Sequence, residues 1–267
     1  MQRKLRAFNT VLLVENETAR YQPFINNPLV ELVCLSSLAR ALRKYEGIVL
    51  CHFVFLPWGY KMIITGDPSQ YSDFMNYFGG ELAKSTREML GVSYEKIWAR
   101  KFDETILYSP YDVCDAVAKM YLEAIIFGVC KNLNSYGSMS SWGAFKEALH
   151  RRDGKVTKEI EKITFSMIEK IPNKINRQEE DSVYAKLLSK VKHIISFQIE
   201  PFGWKKCFPY TRKCGKKKMY EKFKRALFRE IRKHRGKIRE GRRKGRKGKV
   251  NLTEIYKRYK PARRNRK

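Results

Sequence analysis

Residues 50–67, LCHFVFLPWGYKMIITGD, constrain the fold more than any other stretch. They read as one apolar strand, a turn at Pro57-Trp58, and a second strand over residues 59–65. Residues 10–14 read as an earlier strand. Residues 29–45 place Leu29, Val30, Leu32, Val33, Leu35, Leu38 and Leu42 on one side and Arg40, Arg43 and Lys44 on the other, the pattern of an amphipathic helix. A helix over 71–90, a short strand over 104–108 and a helix over 111–132 complete the series. The string β-α-β-β-α-β predicts an α+β fold, a ferredoxin-like split βαβ antiparallel sheet with helices on one face.

Beyond that the pattern changes. Residues 142–199 read as helical and charged, broken at Pro172. Within them, 155–171 carries Ile160, Ile163, Phe165 and Ile168 among Lys/Glu pairs, which predicts a surface helix of a small bundle. Residues 200–204 read as a turn. Residues 217–240 predict a long basic helix with Phe223, Ala226, Leu227 and Ile231 as its apolar stripe. After Gly241 the sequence GRRKGRKGK has no apolar period and is expected to be disordered alone. The expected organisation is a core at 8–145, a helical extension at 146–200, and a basic helix with a polycationic tail at 201–267.

Charge divides the 267-residue chain unevenly. Residues 201–267 hold 29 Lys/Arg and 4 Asp/Glu, whereas residues 1–200 hold 27 and 23. The polycation is expected to bind phosphate backbones by counterion release, without reading sequence. RNA or an anionic surface would attract it too. Cysteines 34, 51, 114, 130, 207 and 214 form no Cys-x-x-Cys pair and read as buried thiols of a cytoplasmic protein. The run at 10–14 is too short for a signal-peptide core, and no run approaches a membrane span.

Several motifs recur in a set order. The helix at 71–90 carries Phe74-Met75 and Gly80-Glu81-Leu82-Ala83. Ile97-Trp98-Ala99-Arg100-Lys101-Phe102-Asp103 follows, then Tyr121 on the next helix, then Ser140-Ser141-Trp142. Over residues 8–145 this order resembles the REP-associated tyrosine transposases, a branch of the HUH single-tyrosine transposases. The resemblance implies single-stranded DNA cleavage by a tyrosine that becomes linked to a 5′-phosphate, with a divalent metal held by two histidines in Pro-x-His-x-His. It assigns the nucleophile to Tyr121. It also assigns metal-site positions to Gly59, Lys61 and Ile125, and none of these is a ligand type. Two ligands one residue apart on a strand share a face. Here that spacing holds a glycine and an ammonium. His52 has the wrong parity on its strand, and so reads as packed or hydrogen-bonded. Asp67 and Glu123 could supply oxygen only in a rearranged site. The expectation is a degenerate copy with no metal and no cofactor.

The expected partner is single-stranded or hairpin DNA, with homodimerisation left open, no membrane, and a nucleoid-associated location in the cytoplasm. Lys61 is a candidate phosphate contact in the metal's stead. Trp58 and Tyr60 are candidate base-stacking rings. Arg100, Lys101, Arg242, Arg243, Lys244, Arg246 and Lys247 are candidate phosphate contacts. Two alternatives stand beside this reading. One is an active transposase with Tyr121 as nucleophile and Mg²⁺ or Mn²⁺ at a relocated site. The other is a basic RNA- or ribosome-associated protein.

Overall fold

A computed structural model describes residues 10–19, 28–90, 96–168, 193–211 and 214–246. Strand β1 (Val11–Glu17), helix α1 (Pro28–Lys44), strands β2 (Ile48–Leu56) and β3 (Gly59–Gly66), helix α2 (Tyr71–Leu90) and strand β4 (Asp103–Leu107) follow in the expected order. The sheet runs β2-β3-β1-β4 with every neighbouring pair antiparallel. Strands β1 and β2 are therefore parallel with β3 between them, and β3 and β4 are parallel with β1 between them. This is a split βαβ arrangement, and the fold is α+β.

Register follows from the two-residue turn. Leu56 pairs with Gly59, Val54 with Lys61, and His52 with Ile63. Residues directly opposite one another share a face, so His52 lies on the Lys61 face and the expected parity is corrected. A bulge at Cys51 re-phases the strand before that point. The opposite face carries Phe55 and Tyr60 against Phe78 of α2, at ring separations of 6.3 and 5.0 Å.

The His52–Lys61 face is covered by α3 (Pro110–Ile126). Ser109 caps its start by accepting from the Asp112 amide, and Pro110 occupies the first turn, where a missing N–H costs nothing. The helix stops at Ile126 rather than near 132. Gly128, with φ of 76°, takes the left-handed conformation that ends helices, and its amide donates to Ile125 O. The loop after it returns to the sheet edge, where Ser140 bridges Val54 ahead of α4 (Trp142–Ala148).

The helical extension expected at 146–200 is corrected. Strands β5 (Val156–Glu161) and β6 (Ile194–Ile199) form an antiparallel pair, with a single helical turn, α5 (Phe165–Ile168), between them. Thr157, Glu159 and Glu161 are exposed while Val156, Lys158 and Ile160 turn inward, a period of two. Val156 and Ile160 lie four apart, a spacing that suits a helix equally well. Residues 169–192 of the expected bundle lie outside the described residues.

The basic helix is two helices, α6 (Lys216–Lys233) and α7 (Arg235–Arg246), separated at His234. Helix α7 also runs through the first residues expected to be disordered. Helix α6 buries Met219, Phe223, Ala226 and Glu230, spaced four, three and four apart. Phe223 packs on Phe145 and Trp142 at 5.0 and 5.9 Å. Among the described residues no helix is long and apolar enough to cross a membrane.

Candidate functional site

Lys61 sits at the centre of a charged cluster built by three elements. Glu15 of β1 is its direct cross-strand partner, and Glu123 projects from α3 onto the same face. The ammonium lies 2.7 Å from Glu15 Oε1 and 2.6 Å from Glu123 Oε2. Desolvation works against the charged lysine, but Glu123 and Glu15 together hold its pKa above the ordinary value. Burial pushes the Glu123 carboxyl up, while Lys61 and a hydrogen bond to Trp58 pull the other way. Lys61 is thus already neutralised by two carboxylates.

The resemblance calls for a divalent cation here, and the residues present do not fit one. The ammonium occupies the place between the two carboxylates that a cation would take. At Gly59, φ is 155° and a Cβ would stand 2.0 Å from the Asn16 carbonyl oxygen, so the backbone excludes any side chain. Ile125 is buried among apolar neighbours. Asp67 lies at the far end of β3, where its carboxylate accepts from Ser69 and Gln70 in an exposed turn. Among the described residues no three His, Cys, Asp or Glu side chains come together in a metal-binding group.

Tyr121 is 1% exposed and lies inside a hydrogen-bond chain. His52 Nε2 is 3.0 Å from the Pro201 carbonyl, which can only accept, so this nitrogen carries the proton. Neutral His52 therefore accepts at Nδ1 from the Tyr121 hydroxyl, 2.9 Å away. That leaves the Ser141 hydroxyl to donate to Tyr121 Oη at 2.8 Å, while Ser141 Oγ accepts from the Phe53 amide at 2.8 Å. Burial pushes the Tyr121 phenol well above its ordinary pKa, against the pull of Ser141. Burial likewise holds the His52 ring down at about 3, against the Pro201 carbonyl. Every polar atom of the chain is satisfied. The buried, fully hydrogen-bonded Tyr121 hydroxyl has the geometry of a packing ring with a polar anchor.

The candidate stacking rings are not available to bases. Trp58 is 5% exposed and lies 4.6 Å from the Phe127 ring. Tyr60 is packed against Phe78 and Trp98 on the opposite face. Both rings of the turn region point inward, Trp58 toward Phe127 and Tyr60 toward α2. Trp98 donates its indole N–H to Gly79 O at 2.8 Å. Arg100 is exposed and paired with Asp103, and Lys101 is exposed beside the Phe102 ring. Arg242, Arg243, Lys244 and Arg246 fall on α7, with Arg243 exposed, and Lys247 lies outside the described residues.

No protein-family model and no curated protein sequence matches this chain. Among solved structures, a REP-associated tyrosine transposase bound to a REP hairpin is similar to it at 15% identity and a TM-score of 0.41. The similarity covers 55% of this chain and 86% of that one. A likeness of this size transfers neither residues nor roles.

Sequence reasoning missed Glu15 and the Ser141 hydroxyl. Glu15 carried one local signal: it is the first charge after the apolar run Val11-Leu12-Leu13-Val14, but only the β1–β3 register brings it to Lys61. Ser141 carried none that spacing alone could reveal.

Proposed function

We propose that this chain is a transposase-like DNA-binding protein that takes single-stranded or hairpin DNA on its C-terminal helices and does not cut it by a metal-assisted tyrosine. The observation that carries the reading is the surface of α6 and α7. Residues 216–246 hold 16 Lys/Arg and three acidic residues. Among the described residues Arg225, Arg232, Arg235, Arg239 and Arg243 are exposed and paired with no carboxylate. Cations held on a rigid helix face release counterions when they meet phosphates. The order of motifs over 8–145 supports DNA as the polyanion. The buried Tyr121 hydroxyl, and a lysine where the metal would stand, support binding without cleavage.

The test is a labelled DNA hairpin with the full chain, run on native and denaturing gels with Mg²⁺, Mn²⁺ or EDTA. The expected result is a native shift and no covalent adduct. With about six phosphate contacts, affinity falls about a thousandfold between 50 and 200 mM salt. A metal-dependent adduct that disappears in Tyr121→Phe would overturn the non-cutting reading. Tighter binding to an RNA hairpin of the same sequence would overturn the assignment to DNA.

A further inference from the structure

Phe228 is 60% exposed on a helix whose apolar face is already spent. The buried stripe of α6 is Met219, Phe223, Ala226 and Glu230. At 100° per residue, position 228 points about 200° away from Ala226 and Glu230, toward solvent. A phenylalanine there buries little and contributes nothing to the core. Its surface neighbours are residues three and four positions away. Arg225 and Arg232 hold two of those positions, and both are exposed. The one acidic residue on this side, Glu221, is paired with Lys224 at 2.7 Å.

A second exposed ring lies beside the same helix. Tyr111, 64% exposed at the start of α3, sits under Lys222 Nζ at 4.9 Å. Lys222, Arg225 and Phe228 follow at steps of three residues, each about 60° further around α6, so two cations lie between the Tyr111 contact and Phe228, with Arg232 beyond it. Aromatic faces interleaved with cations match a nucleic-acid strand, which alternates a flat base with a phosphate. A blunt duplex offers phosphates but keeps its base faces stacked inside.

We propose that Phe228, flanked by Arg225 and Arg232, is a stacking platform for an unpaired base whose neighbouring phosphates the two arginines hold, with Tyr111 as a second ring on the same path. This rests on the reading of α6 and α7 as the nucleic-acid surface, and narrows it to strands with accessible bases. Phe228 takes this role in place of Trp58 and Tyr60, which are buried.

The experiment is fluorescence anisotropy of the full chain on a labelled 20-nucleotide DNA single strand and on the blunt duplex of that sequence, in one buffer at one salt concentration. Phe228→Ala is expected to weaken single-strand binding about tenfold or more and to leave duplex binding unchanged. Arg225→Gln with Arg232→Gln is expected to weaken both. Phe228→Trp, which keeps a larger ring, is expected to retain single-strand affinity. If Phe228→Ala changes neither ligand, or both equally, the stacking platform is overturned. The basic surface then still stands if the double glutamine variant weakens both ligands. If that variant also changes nothing, the reading of these helices as the binding surface falls with it.

Discussion

The Tyr121 hydroxyl donates to His52 Nδ1 across 2.9 Å, joining α3 to the second strand of the sheet deep inside the fold. The bond locks the histidine tautomer, and the Ser141 hydroxyl closes the chain from the other side. The tyrosine is therefore a tie between three segments. Removing only its oxygen tests that role. Tyr121→Phe keeps the ring but leaves His52 Nδ1 without its buried donor, while the Ser141 hydroxyl can turn to the Phe53 carbonyl 3.2 Å away. The expected cost is about 1–3 kcal/mol of stability by urea unfolding, with DNA affinity unchanged. A variant as stable as the parent would show that the chain of bonds contributes nothing.

His52 also sets a pH dependence. Its pKa is held at about 3 by burial in the folded protein and lies near 6.5 in an unfolded chain. Below about pH 6.5 the unfolded state binds a proton that the native state refuses, so stability is lost as pH falls toward the folded value. The loss approaches about 1.4 kcal/mol per pH unit through this window. Urea midpoints at pH 7.5, 6.0 and 5.0 should follow that slope. His52→Gln, which does not titrate, should lack this component.

Lys61 separates a structural cation from a DNA contact. Its ammonium bridges Glu15 and Glu123, and the Lys61 and Glu123 side chains are only 23% and 17% exposed. Lys61→Met keeps the stem and strands two carboxylates beside each other. Destabilisation of roughly 2–4 kcal/mol is expected. Affinity for a DNA hairpin should be unchanged, because the charge removed is not offered to solvent. Loss of affinity without loss of stability would make Lys61 a phosphate ligand after all.

The hairpin at Pro57-Trp58 was legible in the sequence because apolar strands and a two-residue turn are local signals. With the flanking helices they yielded the whole β-α-β-β-α-β string. The partners of Lys61 were not legible. Glu15 reaches it through the β1–β3 register, and Glu123 through the way α3 lies on the sheet. The β5–β6 pair was misread because Val156 and Ile160 satisfy two periods at once, and the strand that decides between them begins at Ile194. The exposure of Phe228 was available in principle, since 228 falls off the 219, 223, 226, 230 spacing. Trp58 and Tyr60 stood out in the sequence instead because they flank the positions that the resemblance assigns to a metal.

Gly59 gives the sharpest test of whether a metal site can be built on this hairpin. Two histidines at 59 and 61 are what the resemblance implies there, and introducing both is the obvious engineering step. The backbone argues against it. Gly59 has φ of 155°, and a Cβ at this position would meet the Asn16 carbonyl oxygen at 2.0 Å, with Glu17 Cα at 3.0 Å. Both neighbours are backbone atoms of β1, and a backbone in a paired strand cannot step aside as a side-chain tip can. Strain at such a φ costs about 1–3 kcal/mol, and the clash adds a similar amount. Gly59→Ala is therefore expected to lose roughly 3 kcal/mol or more, and Gly59→His to fold no better. Lys61→His alone should be tolerated more readily, since a side chain already occupies this position. Thermal melts of the three variants decide the matter. If Gly59→His melts within a few degrees of the parent, β1 can yield at Asn16 and the position is open to a ligand.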